Sequence, residues 1–180
     1  MARSFRGRFS QKVDAKGRVS VPARFRRLLE AGDPDWRQAV ADGQTDARPM
    51  FTIVFGDDDQ NYFECYTVES IEEIDEQIAE LFSPGDPQRK DLQELYHENS
   101  LEAEIDNDGR VMLPQDLRRK LGIEPRETLL FTGSGETFKI WKPEVYEAER
   151  AARRAKLAAE RPEGFDARAL LPPRKKKTEE

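Results

Sequence analysis

Apolar and polar positions alternate along the first thirty residues in a way that predicts two short strands and a helix. Phe9, Lys12 and Val13 belong to a first strand, and Asp14-Ala15-Lys16-Gly17 is read as the turn that ends it. Val19 and Val21 then fall on one face of a second strand, as the two-residue period of a strand requires. Pro22 stands where a helix begins, since proline fits the first helical turn. Phe25, Leu28 and Leu29 supply the apolar stripe of that helix. Two further runs, Phe51–Phe55 and Tyr62–Tyr66, flank the polar Asp57-Asp58-Asp59-Gln60-Asn61 and predict a hairpin. Val68, Ile71, Ile74, Ile78 and Leu81 place a helix over 68–82, which Pro84-Gly85-Asp86-Pro87 ends. Leu92, Leu95 and Tyr96 mark another helix.

The same order then returns. Placing Asp14 on Asp106 (an offset of 92, 106 minus 14) aligns Val13-Asp14-Ala15-Lys16-Gly17-Arg18-Val19-Ser20-Val21-Pro22 with Ile105-Asp106-Asn107-Asp108-Gly109-Arg110-Val111-Met112-Leu113-Pro114. Phe25, Arg26 and Leu29 continue the match with Leu117, Arg118 and Leu121. Leu101, Ala103 and Ile105 repeat the first strand, and Gly122 is the expected helix stop. Tyr62-Phe63-Glu64-Cys65-Tyr66 matches Thr137-Phe138-Lys139-Ile140-Trp141 at an offset of 75 (137 minus 62). The difference between 92 and 75 is 17 residues, which reads as an insertion in the first copy, a polar loop between Ala31 and Pro49. Leu129–Thr132 and Phe138–Trp141 repeat the hairpin around Gly133-Ser134-Gly135-Glu136, and Pro143–Glu160 is a polar Ala/Glu/Arg-rich helix. The expected organisation is repeat one with its connecting helix over 1–82, a linker helix over 83–99, repeat two with a C-terminal helix over 100–160, and a disordered tail over 161–180.

Composition narrows the function. Of 180 residues, 37% are hydrophobic and 37% charged, so each repeat has a modest core and pairing or oligomerisation is expected. The net charge is −6, but it is unevenly spread. Residues 1–32 hold nine Lys/Arg against two acidic residues (+7), residues 33–108 hold four against 22 (−18), and the remainder holds 17 against 12 (+5). A basic start suits a polyanionic partner better than the total suggests. The lone Cys65 rules out an internal disulfide framework. No apolar run approaches the roughly 18 residues of a membrane span, and the basic N-terminus leads into no signal-peptide core. An intracellular protein is expected.

The two Asp-x-x-Gly-Arg-x-x-x-Pro segments, together with Phe5-Arg6-Gly7 and Phe138-Lys139-Ile140-Trp141, resemble the MraZ transcriptional regulators over roughly residues 5–150. A single copy would match only the wider AbrB-like group of swapped-hairpin proteins. The resemblance implies an α+β, mainly β fold, with two tandem AbrB-like repeats packed as a double-split β-barrel with short flanking helices. It implies a ring of subunits that binds promoter direct repeats of the division and cell-wall gene cluster, in the cytoplasm and at the nucleoid. Its DNA-contact motif falls on Asp14, Lys16, Gly17, Arg18 and Pro22, with Asp106, Gly109, Arg110 and Pro114 in the second copy. Asp108 and Asp116 stand where the first copy has Lys16 and Arg24, so the first copy is expected to dominate contact with DNA.

The chemistry of the residues agrees with a DNA-binding reading. A basic two-stranded β segment fits the major groove, and Arg18 offers a bidentate guanidinium to guanine. Lys12, Lys16, Arg24 and Arg26 suit phosphates, with Arg110 as the second-copy counterpart of Arg18. Arg18 has a second reading as the partner of Asp14, and the two roles are compatible. Other classes find less support. His97 and Cys65 have no triad partners, Asp57-Asp58-Asp59 lacks EF-hand periodicity, and no zinc spacing or phosphate cradle occurs. No enzyme activity, cofactor, metal, membrane or small-molecule substrate is expected. The remaining rivals are an antitoxin-like protein whose acidic middle or tail covers a toxin, and a ring scaffold without DNA.

Overall fold

The period-two runs form strands and the period-3.6 runs form helices, close to where the alternation places them. A computed structural model describes residues 4–161 and 164–171. It is α+β and mainly β. The strands are β1 (Arg8–Lys12), β2 (Arg18–Ser20), β3 (Met50–Val54), β4 (Tyr62–Thr67), β5 (Ser100–Glu104), β6 (Arg110–Met112), β7 (Thr128–Gly133) and β8 (Phe138–Trp141). The helices are α1 (Ala23–Ala31), α2 (Pro34–Ala41), α3 (Val68–Leu81), α4 (Pro87–Gln93), α5 (Gln115–Lys120) and α6 (Pro143–Glu160), with a π turn at Glu94–Glu98. The chain divides into two units, Met1–Tyr146 and Glu147–Glu180. In the second, the exposed 3-10 turn Ala167–Leu170 is capped by Asp166, and Arg161 lies 4.5 Å from the Phe165 ring centre. The Lys-rich run from Arg174 to Lys177 lies outside the described residues.

The first unit is built by exchange of strands between repeats. β1 and β2, joined by the Asp14–Gly17 turn, meet at only one bridge, Val13 to Val19, and then part. β1 pairs antiparallel with β7 of the second repeat, β5 pairs with β3 of the first, and β2 pairs with β6. The result is a six-stranded sheet in the order β1-β7-β8-β4-β3-β5 and a separate two-stranded ribbon, β2-β6. Neither closes on itself, so the barrel is split into two ladders. Reading the six-stranded order from either end visits equivalent strands, which is the signature of a pseudo-two-fold axis. That axis passes between Val19 and Val111 on the ribbon and between Glu64 and Lys139 in the sheet. In each pair, equivalent residues stand in register with one another.

Register also relocates the insertion. Arg8 opposes Thr132 while its equivalent Ser100 opposes Val54, so β3 and β7 are offset by 78 (132 minus 54). The extra residues are therefore 14 before β3 (92 minus 78) and three in the β3–β4 turn (78 minus 75), not a single block of 17. Nor is the longer piece only a polar loop, because it contains α2. Asp33 caps that helix, accepting from Trp36 N at 2.9 Å, and Pro34 takes its first position. The other Asp33 oxygen accepts from Met50 N at 2.8 Å, tying the insertion to the start of β3. Both oxygens are satisfied, which is how a carboxylate only 2% exposed is tolerated.

The core is aromatic and shared by both repeats. Phe138 lies 5.1 Å from Phe5 and from Phe25, 6.0 Å from Phe131 and 6.1 Å from Phe51, ring centre to ring centre. Val19 and Val111 close it beneath the ribbon. Burying these rings together holds the ribbon on the sheet, at about 25 cal/mol per Å² of apolar surface removed from water.

A candidate nucleic-acid interface on the ribbon

Each Asp-x-x-Gly-Arg turn is built around one carboxylate. Asp14 accepts from Lys16 N at 2.8 Å and Arg18 N at 2.9 Å through one oxygen, and from Arg18 Nε at 2.7 Å through the other. Gly17 N donates to Asp14 O at 3.1 Å, with Gly17 at φ +83° where a side chain would strain the backbone. The hydrogen bond from Arg18 N, with those from its side chain and from Lys16 N, holds the Asp14 carboxyl at about 2, against an ordinary 3.8. It stays charged, and it orients Arg18.

The second turn repeats this with one difference. Asp106 accepts from Asp108 N at 3.0 Å, Arg110 N at 2.9 Å and Arg110 Nε at 3.1 Å. Burial pushes this carboxyl up, but the Arg110 hydrogen bonds and charge outweigh it and hold it below its usual value. Arg110 is also gripped by Asp108 through Nη2, whereas the Arg18 terminal nitrogens make no hydrogen bond among the described residues. The substitution of acid for Lys16 thus both removes a cation and occupies the neighbouring guanidinium.

The β2–β6 register brings the two arginines together. Arg18 opposes Met112 and Ser20 opposes Arg110, with Val19 and Val111 turned into the core. The outward face therefore carries Arg18, Ser20, Arg110 and Met112, the last 48% exposed. Ser20 and Met112 join the site through pairing between repeats, which the linear sequence does not display, although alternation alone puts Met112 on the same face as Arg110. The other expected residues lie on different elements. Lys16 is exposed at the turn and Arg24 is exposed at the start of α1, while Lys12 is exposed on β1 opposite Thr128. Arg26 is half-buried, and its guanidinium lies against Gly109 of the other repeat. Pro22 is buried and stands just before α1.

The remaining polar chemistry lies elsewhere. Cys65 is fully buried, and burial, then the Glu64 charge, pushes its thiol well up. His97 Nε2 is 2.8 Å from Asp75 on the surface. Among the described residues no group of three or more His, Cys, Asp or Glu is placed to hold a metal, and no helix is long and apolar enough to cross a membrane.

Comparison with known proteins places this arrangement among regulators. The family described as "MraZ protein, putative antitoxin-like" matches residues 98–167, which span the second repeat from β5 to α6. A "Transcriptional regulator MraZ" of Ruegeria sp. (strain TM1040) is 46% identical over 166 residues, covering 92% of this chain and 93% of the relative. One from Cereibacter sphaeroides (strain KD131 / KCTC 12085) is 43% identical over 176 residues, covering 95% and 97%. A more distant one, from Rhodospirillum rubrum, is 34% identical over 151 residues, covering 83% and 86%.

Proposed function

The chain belongs to the MraZ family of transcriptional regulators, and on that premise we propose that it binds double-stranded DNA sequence-specifically through the β2–β6 ribbon. The observation that carries this reading is Arg18, fixed through Nε by Asp14 on the outward face of a narrow ribbon with its terminal nitrogens unengaged. Such a ribbon enters the major groove, and a guanidinium with both terminal NH2 groups free pairs with guanine O6 and N7, worth about 1–3 kcal/mol against other bases. Asp14 and Gly17 set the aim, Lys16, Lys12 and Arg24 meet phosphates, and Arg26 supports them from α1. Arg110 contributes less because Asp108 holds it.

One ribbon makes few contacts, so affinity comes from repetition. The protein assembles as a homo-oligomeric ring, and ribbons spaced around it engage successive direct repeats in the promoter of the division and cell-wall gene cluster. It acts in the cytoplasm at the nucleoid, without catalysis, cofactor, metal or small-molecule substrate. The test is a fluorescence titration of a duplex from the promoter upstream of this gene against a scrambled duplex, at two salt concentrations, with the assembly sized by ultracentrifugation. Salt-sensitive preference for the promoter by a ring is the expected result. Equal binding to both duplexes, or binding as well by a monomer, contradicts it.

A further inference from the structure

The two turns that carry Arg18 and Arg110 are each covered by an arginine from the opposite repeat. A Cβ built on Gly109 would lie 2.2 Å from Arg26 Nη1 and 2.5 Å from Arg26 Cζ. A Cβ on Gly17 would lie 2.6 Å from Arg118 Nε and 2.8 Å from Arg118 Cζ. Arg26 and Arg118 are equivalent under the offset of 92, as are Gly17 and Gly109, so the contact is made twice around the axis. The positive φ of each glycine already favours that residue, and in addition the guanidinium lies in the space a side chain would take. We propose that Arg26 and Arg118 are positioning residues, each bracing the recognition turn of the other repeat; the consequence for DNA rests on the reading given under Proposed function.

Three observations support a brace over a direct phosphate contact. Arg26 is half-buried on α1, next to buried Phe25, with Phe25 and Leu29 anchoring the helix in the core. Its Nε is buried and has no hydrogen-bond partner, so that edge of the guanidinium is closed to DNA. In the other repeat Arg118 Nε donates to Leu113 O at 3.0 Å, turning its guanidinium along the backbone rather than outward. The backbone continues the link, with Val21 N donating to Gly109 O at 2.9 Å and Leu113 N to Gly17 O at 3.0 Å. Packing a broad planar group against a glycine is a task that lysine does not perform, whereas a simple positive charge near phosphate is one that it does.

The test uses the full chain with Arg26→Lys and Arg26→Met, reading hydrogen exchange of the Arg110 N–H in the free protein and the salt dependence of binding to the promoter duplex. Both variants are expected to speed Arg110 exchange about tenfold by loosening the turn. Both are expected to weaken binding while leaving the salt slope at the wild-type value, and Lys16→Met, as a control, lowers that slope by about 0.9. Arg118→Lys is expected to do the same to the Arg18 N–H, which keeps the proposal open to test should an Arg26 variant misfold. Unchanged exchange in the lysine variants overturns the brace. So does a wild-type affinity in Arg26→Lys combined with a slope loss of about 0.9 in Arg26→Met, the behaviour of a phosphate contact. If the wild-type protein ignores the duplex, the DNA reading fails and exchange alone decides the brace.

Discussion

Glu64 and Lys139 occupy equivalent positions in the two repeats and stand opposite one another on β4 and β8, with Oε2 and Nζ 3.9 Å apart. A strictly symmetric duplication sets two identical residues against each other on the axis, so a Glu or a Lys kept in both copies would meet a like charge. Divergence has made the pair complementary, and each side has found further partners. Glu64 accepts from Thr137 Oγ1 at 2.8 Å, and Lys139 Nζ lies 4.2 Å from the centre of the Tyr62 ring.

Restoring the symmetry is expected to be costly. Glu64→Lys places two ammonium groups on the axis and leaves Thr137 without its acceptor, for a loss of about 1–3 kcal/mol. Adding Lys139→Glu to that variant should recover part of it. Urea unfolding of the single and double variants measures both effects, and additive losses would show that the two residues do not interact.

The N-terminal segment is held closely against Gly133. A Cβ on Gly133 would lie 2.4 Å from the Phe5 carbonyl carbon and oxygen and 2.5 Å from Arg6 N. This is backbone, which cannot swing aside. Gly133→Ala should therefore displace Phe5 from Phe25 and Phe138 and cost about 1–3 kcal/mol. Trypsin should then cleave after Arg6 and Arg8 sooner than in wild type; equal cleavage would contradict the contact.

Much of this was legible in the sequence. The strand positions follow from periodicity, because burial on one face leaves a repeating trace; the duplication follows from residues that match at fixed offsets, and the helix Pro143–Glu160 from its Ala/Glu/Arg-rich composition. Strand partners leave no such trace. β1 buries the same residues whether it pairs with β2 or with β7, so periodicity does not show the exchange between repeats, which only the resemblance to swapped-hairpin proteins implied. α2 had its signal, an Asp cap followed by proline, but none of its residues is buried and no apolar stripe announces it. At the site, the Asp-x-x-Gly-Arg turn could be read directly. Met112 and Ser20 on the ribbon face, and the arginines over Gly17 and Gly109, depend on pairing between repeats and were hidden.

The acid limit of stability should reflect Asp14. Its folded-state value of about 2 lies below the ordinary 3.8, so its contribution is full above about pH 4 and is lost as pH falls through about 2. Asp14→Asn is thus expected to lower the urea midpoint near neutral pH, and the gap to wild type should shrink on acidification through that window. A gap independent of pH would show that the charge of Asp14 does not organise the turn.

Cys65 gives a probe of the shared core. Fully buried and with its thiol pushed up, it should resist maleimide at mildly alkaline pH in the folded protein and react at once in denaturant. Rapid labelling of the native state would mean that the core around β4 opens.

The most direct test of the DNA reading is titration of the promoter duplex with wild type, Arg18→Ala and Arg110→Ala, each confirmed as folded. Arg18→Ala should weaken binding by about 1–3 kcal/mol and reduce the preference over a scrambled duplex. Arg110→Ala should lose less, since Asp108 already holds that guanidinium. If Arg18→Ala binds and discriminates as wild type does, the ribbon is not the reading element and Arg18 serves only to tie its turn to Asp14.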